Sequence, residues 1–246
     1  MVERIRPNWT VEAATPAAGG YHLVEHFLVQ TTAGQRRCVL KATPSDRDPV
    51  CDDEARLLAL LDGYSGVAVP EVYGVVDEDE TLPAPFFLTE EVPGKNYLRA
   101  EVDSLPTATL ERAAHSLGHQ LAAVHDASRG SGGMQLDGYG FVDVVHGESL
   151  DGARPEVDPE QFTVTDAVET WTVYLEESAA GALSALEETR FSAMAAPVEK
   201  SLQDRFETLT GQFEPALCRV DHSIENAVFD AESHEVRTLL DWEFCV

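Results

Sequence analysis

The run Arg219-Val220-Asp221-His222-Ser223-Ile224-Glu225-Asn226 leads into Ala227-Val228-Phe229-Asp230, then Val236-Arg237-Thr238-Leu239-Leu240, and then Asp241-Trp242-Glu243-Phe244. The two apolar runs read as short strands, and the polar residues 231–235 between them as their turn. A hairpin returns the chain to its start, which places Asp241 near Asn226. The order Asp221, Asn226, Asp241 supplies what phosphoryl transfer needs. One carboxylate stands beside an attacking hydroxyl, and an amide oxygen and a second carboxylate serve the metal that bridges the phosphates. An Asp five positions before an Asn is also an ordinary turn or cap pattern, so support has to come from elsewhere in the chain.

That support lies upstream. Cys38-Val39-Leu40-Lys41-Ala42 is an apolar, partly β-branched run holding one charge; the turn-like Thr32-Ala33-Gly34-Gln35 and a partner strand, Leu23 to Gln30, precede it. Lys41 is one of three lysines in the chain, with Lys95 and Lys200. An ammonium in such a strand either faces solvent by alternation or has a specific partner. Cys51 to Leu61 has the period of an amphipathic helix ending near Gly63, with Glu54, thirteen residues after Lys41, on the face of Leu57, Leu58 and Leu61. A carboxylate on a buried stripe is costly unless paired, and Lys41 is the cation it predicts. Asp52 and Asp53 complement the positive end of the helix dipole instead.

Lys41, Glu54, Asp221, Asn226 and Asp241-Trp242-Glu243, in that order, resemble the aminoglycoside phosphotransferase family, the small-molecule branch of the protein-kinase-like fold. Ala17-Ala18-Gly19-Gly20-Tyr21 is similar to that family's phosphate-covering turn, and Phe86 to Gly94 to its strand-to-linker segment, where adenine pairs with backbone groups near Glu91 and Val92. The segment from Leu117 to His125 resembles its first large C-lobe helix. The resemblance implies an α+β, bilobed fold. Its N-lobe, residues 1–92, holds an antiparallel sheet with one helix; its largely helical C-lobe, residues 93–246, carries the catalytic hairpin. It further implies ATP and Mg²⁺ as cofactors and a small-molecule hydroxyl as acceptor. Asp221 would be catalytic, Lys41, Glu54, Gly19, Gly20, Glu91 and Val92 would bind the nucleotide, and Asn226 and Asp241 would bind the metal.

Two departures from the family pattern stand out. Arg219 occupies the position where the family has a histidine two residues before the catalytic Asp. The chain also stops at Val246, where family members continue for several helices, so a truncated, split or fragmentary member is expected. Both motivate an alternative, a catalytically inactive nucleotide-binding or structural remnant.

Composition sets separate limits. The net charge is −27, from 44 acids against 17 bases, and the basic residues are not clustered, which excludes nucleic acid and anionic membranes as partners. It also predicts a molar-salt cytoplasm, where the Debye length is about 3 Å and self-repulsion is screened. Cys38, Cys51, Cys218 and Cys245 have no paired spacing and sit in or beside apolar runs, as buried thiols of a reducing compartment do. His115 and His119 fall four apart on one helix without a third ligand, and read as solvated or hydrogen-bonded helix residues. No apolar run is long enough to span a membrane, so a cytoplasmic protein is expected.

After Pro93-Gly94 the patterns turn helical: Thr107 to Val124, Thr165 to about Leu186, and a stripe of Val198, Leu202, Phe206, Leu209 and Phe213. Trp171 and Tyr174 read as core. Arg129 to Pro159, rich in Gly, Asp and Pro, reads as an exposed excursion.

Overall fold

The computed structural model covers residues 1–246 and describes all but 18–21, 45–50, 65, 130–132, 135, 146, 243, 244, 246 and the side chains of 51 and 52. After a short helix, α1 (Val2–Ile5), come β1 (Thr10–Pro16), β2 (Leu23–Thr31), β3 (Gly34–Ala42), α2 (Cys51–Leu61), β4 (Val72–Val76) and β5 (Phe86–Glu90). The five strands form one antiparallel sheet in the order β1-β2-β3-β5-β4.

Strand alternation decides what this sheet does. Cys38, Leu40 and Ala42 on β3 are fully buried and pack with Val29, Val76, Phe86, Leu88 and the residues Val2 and Ile5 of α1. Their neighbours Val39 and Lys41 therefore point to the opposite face. On that side α2 contributes Ala55, Leu57, Leu58 and Leu61 to a second core with Val72, Val75 and Phe87. Glu54, one turn before Leu57 and Leu58, is carried into the same interior. Truncating Leu40, which is completely buried, to alanine is expected to lower the unfolding free energy by about 2–5 kcal/mol. Urea denaturation in molar KCl checks this, and an unchanged midpoint would contradict the packing described.

The chain after β5 reaches its second half by way of a hairpin near the end of the sequence. β6 (Lys95–Asn96) pairs with β9 (Ala227–Phe229), which pairs in turn with β10 (Val236–Leu239). Gly94 permits this approach, because a Cβ there would lie 2.5 Å from the Phe229 carbonyl oxygen. The remaining helices are α3 (Arg99–Val102), α4 (Thr107–Ala127), α5 (Trp171–Glu187) and α6 (Ala195–Phe206).

Four features differ from the sequence reading. The helix expected from Thr165 starts at Trp171, where Thr170 Oγ1 caps it by accepting from the Val173 amide at 3.2 Å. Residues before it form β8 (Phe162–Val168), paired with β7 (Tyr139–Val144) inside the expected excursion. The β-branched alternation of Thr163, Val164 and Thr165 favours a strand there over a helix. The last stripe ends with α6 at Phe206, leaving Leu209 beyond the helix and Phe213 exposed. Trp171 and Tyr174, stacked at 5.3 Å, are half-buried on the wall of a cavity of about 170 Å³ rather than in the core.

Cys38 and Cys245 are buried free thiols and Cys218 a half-buried one; the side chain of Cys51 lies outside the described residues. Among the described residues no helix is long and apolar enough to cross a membrane, and no group of three or more His, Cys, Asp or Glu side chains is arranged to hold a metal. The rings of His115 and His119 meet edge to face at 4.6 Å.

Candidate active site

The hairpin closes because its turn is held by its own polar groups. The Asp230 carboxylate accepts from the amides of Ser233 and Glu232 and from the Arg237 guanidinium, bonds that hold its carboxyl well below the usual carboxylate range. His234 takes the left-handed backbone conformation that the turn requires. At the open end the Leu240 amide donates to the Asn226 carbonyl at 2.8 Å. Asp241, the next residue, is thereby fixed beside Asn226, and its own backbone is left-handed, with φ 63°. A non-glycine residue in that region is uncommon, and such outliers concentrate at functional sites.

Lys41 Nζ stands 2.7 Å from Glu54 Oε2 and 2.9 Å from Asp241 Oδ1. One strand, one helix and the end of the hairpin thus converge on a single ammonium. Glu54 is 3% exposed, and its other oxygen accepts from the Trp242 amide at 3.1 Å. Burial pushes its carboxyl above the usual range, while the charge of Lys41 and its hydrogen bond pull it down. Since the ammonium also faces Asp241, it is poised among carboxylates at the edge of open space.

That space is a cavity of about 450 Å³ whose wall includes Lys41, Glu54, Asn226 and Asp241. Val24, Val39, Phe87, Thr89 and Leu240 give it apolar surface. None of these five was singled out as a site residue from the sequence. The register carries the missing signal: Val24 and Phe87 lie directly opposite Lys41, Thr89 lies opposite Val39, and directly opposed residues share a face. Once Lys41 is known to point inward, its cross-strand neighbours follow.

Other expected site residues are placed differently. Asp221 is exposed, outside the cavity wall, and accepts from the Ser223 amide at 2.8 Å in a turn of its own loop. Glu91 and Val92 are also outside the wall; the Glu91 amide donates to the Arg37 carbonyl at 3.2 Å, and its carboxylate faces His26 and Arg37. Gly19, Gly20 and Glu243 lie outside the described residues. Glu225, unmarked in the sequence, also lines the cavity, and its carboxylate is held by the Arg99 amide at 2.7 Å.

Comparison with known proteins places this geometry in a wider group. No curated protein matches the chain significantly. Among solved structures it is similar to a Ralstonia eutropha protein provisionally assigned as an aminoglycoside phosphotransferase, with a TM-score of 0.60 and 14% identity, over 95% of this chain and 59% of that one. It is also similar to a thermostable mutant of aminoglycoside phosphotransferase APH(4)-Ia in ternary complex with ADP and hygromycin B, with a TM-score of 0.62 and 14% identity, over 99% of this chain and 70% of that one. The GDP and kanamycin complex of APH(2")-IIIa gives a TM-score of 0.59 and 14% identity, over 100% of this chain and 72% of that one. The chain therefore spans between about three fifths and three quarters of the length of these structures, with which it shares the kinase-like fold. The sequence profile of the phosphotransferase enzyme family matches residues 14–246, and the chain belongs to that family, the aminoglycoside phosphotransferases and their relatives.

Proposed function

We propose that this protein transfers the γ-phosphate of ATP, with Mg²⁺, to a hydroxyl of a small molecule. One observation carries the reading: Lys41 is held 2.7 Å from Glu54 and 2.9 Å from Asp241 in a cavity that Asn226 also lines. Residues 1–92 would form the nucleotide lobe and 93–246 the catalytic lobe.

The residues present fit magnesium. An amide oxygen at Asn226 and a carboxylate at Asp241 are hard oxygen donors, and Mg²⁺ takes one or two such protein groups and completes its shell with phosphates and water. When bound, it supplies charge neutralisation across the β- and γ-phosphates. Lys41, kept in place by Glu54, binds phosphate oxygens. Val24, Val39, Phe87, Thr89 and Leu240 form an apolar slot suited to the face of a purine. The backbone at Glu91 and Val92 would pair with the edge of the base, and the turn holding Gly19 and Gly20 would cover the phosphates. Asp221 orients the attacking hydroxyl and accepts its proton, and its exposed position leaves it accessible to an acceptor. The nucleotide and aminoglycoside complexes of the similar structures support a nucleotide donor and a small hydroxyl-bearing acceptor.

A second reading, a nucleotide-binding chain without turnover, draws on Asp221 lying outside the cavity wall and on Arg219 in place of histidine. Thermal unfolding in molar KCl, with and without Mg·ATP, followed by a turnover screen over hydroxyl acceptors, separates the two. Ligand at about a hundred times its dissociation constant is expected to add roughly 2.7 kcal/mol to stability. No rise in a cooperatively folded chain would end both readings, whereas a rise without turnover on any acceptor would favour the second.

A further inference from the structure

Arg219 is the least expected residue of the catalytic segment, and its surroundings give it a task. It is 1% exposed, and its backbone pairs with Cys245 in an isolated antiparallel bridge. A single guanidinium nitrogen, Nη1, donates to the Asn226 carbonyl at 2.8 Å and also to the Leu240 carbonyl. The guanidinium carbon lies 5.7 Å from the centre of the Trp242 ring. Nε and Nη2 have no hydrogen-bond partner among the described residues. Burial lowers the affinity of the group for its proton, against the acidic groups of Cys245, Asp221 and Asp241, which raise it.

A buried cation with two idle donors is a poor way to stabilise a core, since apolar residues of similar volume do as well or better. What its one fully used nitrogen does is local. It ties the carbonyl of Asn226 to that of Leu240, the residue immediately before Asp241. The Leu240 amide already donates to the same Asn226 carbonyl, so the arginine closes a three-cornered junction at the open end of the hairpin.

We propose that Arg219 is a positioning residue that sets the spacing of Asn226 and Asp241 by holding the carbonyls of Asn226 and Leu240 on one nitrogen, so that both side-chain oxygens meet the same Mg²⁺. This inference rests on the phosphotransferase reading above. Groups that orient metal ligands from behind are worth about tenfold to a hundredfold in metal affinity.

The test is calorimetric titration of ATP into the full chain in molar KCl, once with excess Mg²⁺ and once with excess EDTA, the readout being the gain in affinity that the metal confers. Arg219→Met is expected to shrink that gain by about tenfold to a hundredfold while leaving the metal-free affinity unchanged. Arg219→Lys, whose ammonium can serve both carbonyls, is expected to restore most of it. An arginine that is merely structural would lower stability in Arg219→Met with the gain intact, and that result would overturn the proposal while sparing the phosphotransferase reading. If Arg219→Met does not fold, Arg219→Gln keeps a polar group and reaches one carbonyl at most, and an undiminished gain in that variant overturns the proposal equally. A wild-type chain whose ATP affinity does not respond to Mg²⁺ would overturn the phosphotransferase reading and this proposal with it.

Discussion

Asp241→Asn is expected to reduce phosphoryl transfer by at least about a hundredfold to a thousandfold, the cost of removing one preorganised group that offsets transition-state charge, with little effect on folding. The two halves of that expectation have separate causes. Asparagine is nearly isosteric with aspartate and is also enriched in the left-handed region, so the backbone at φ 63° carries no new strain. The side chain is 38% exposed, and Lys41 retains Glu54 at 2.7 Å, so no buried charge is stranded. Only the negative charge facing the cavity is lost, and in phosphoryl transfer most catalysis is positioning and charge neutralisation. The check is kcat for ATP turnover with an acceptor that the wild type uses, beside the thermal midpoint of both chains. Full turnover in Asp241→Asn would remove Asp241 from the proposed metal site; a large drop in midpoint would mean that the residue acts through the fold.

Much of this arrangement was legible in the sequence wherever the signal was local. β3 could be read because Cys38 to Ala42 is an apolar, partly β-branched run holding one charge, and α2 because Glu54 keeps helical spacing with Leu57, Leu58 and Leu61. The hairpin could be read because two apolar runs flank a polar turn. The pairing of Lys41 with Glu54 followed from the cost of leaving a carboxylate alone on a buried stripe.

What could not be read depended on register or on distant partners. The apolar wall of the cavity is set by which residues of β2 and β5 stand opposite Lys41 and Val39, and no local pattern encodes cross-strand register. β8 is hidden because Thr165 to Val168 runs directly into the pattern of α5, so the helical period reads back to Thr165, ahead of its true cap at Thr170. Trp171 and Tyr174 looked like core because apolar spacing on a helix does not say whether the facing space is filled. Arg219 reads in sequence as a departure from a pattern, and the carbonyls 7 and 21 residues away that share its nitrogen, on which its proposed role rests, are not encoded locally.

Lys41→Met should have the second large effect, and its pH dependence identifies the cause. The substitution leaves Glu54 buried with its cation removed, and breaking one side of a buried pair typically costs about 3–5 kcal/mol. In the wild type the carboxyl of Glu54 is already raised above its ordinary value of 4.5, by burial first and by the charge of Asp241, against Lys41 and the Trp242 amide. Without Lys41 the two largest opposing influences vanish, and the folded-state value climbs further. A carboxyl that binds its proton more tightly folded than unfolded favours the native state while protonated. Its contribution is therefore fully present below pH 4.5 and lost as pH rises through the folded value. The stability deficit of Lys41→Met relative to wild type is thus expected to be small in acid and to grow toward neutrality. Comparing variants at each pH cancels the self-repulsion of a chain with net charge −27, which both share. Adding Glu54→Gln to the Lys41→Met background removes the titrating group, and should flatten the pH dependence and recover much of the lost stability at pH 7. Urea unfolding across pH in molar KCl measures all three chains. A deficit that is constant with pH and indifferent to Glu54→Gln would mean that Lys41 stabilises the fold through its aliphatic stem, and not by neutralising the carboxylate that α2 carries into the core.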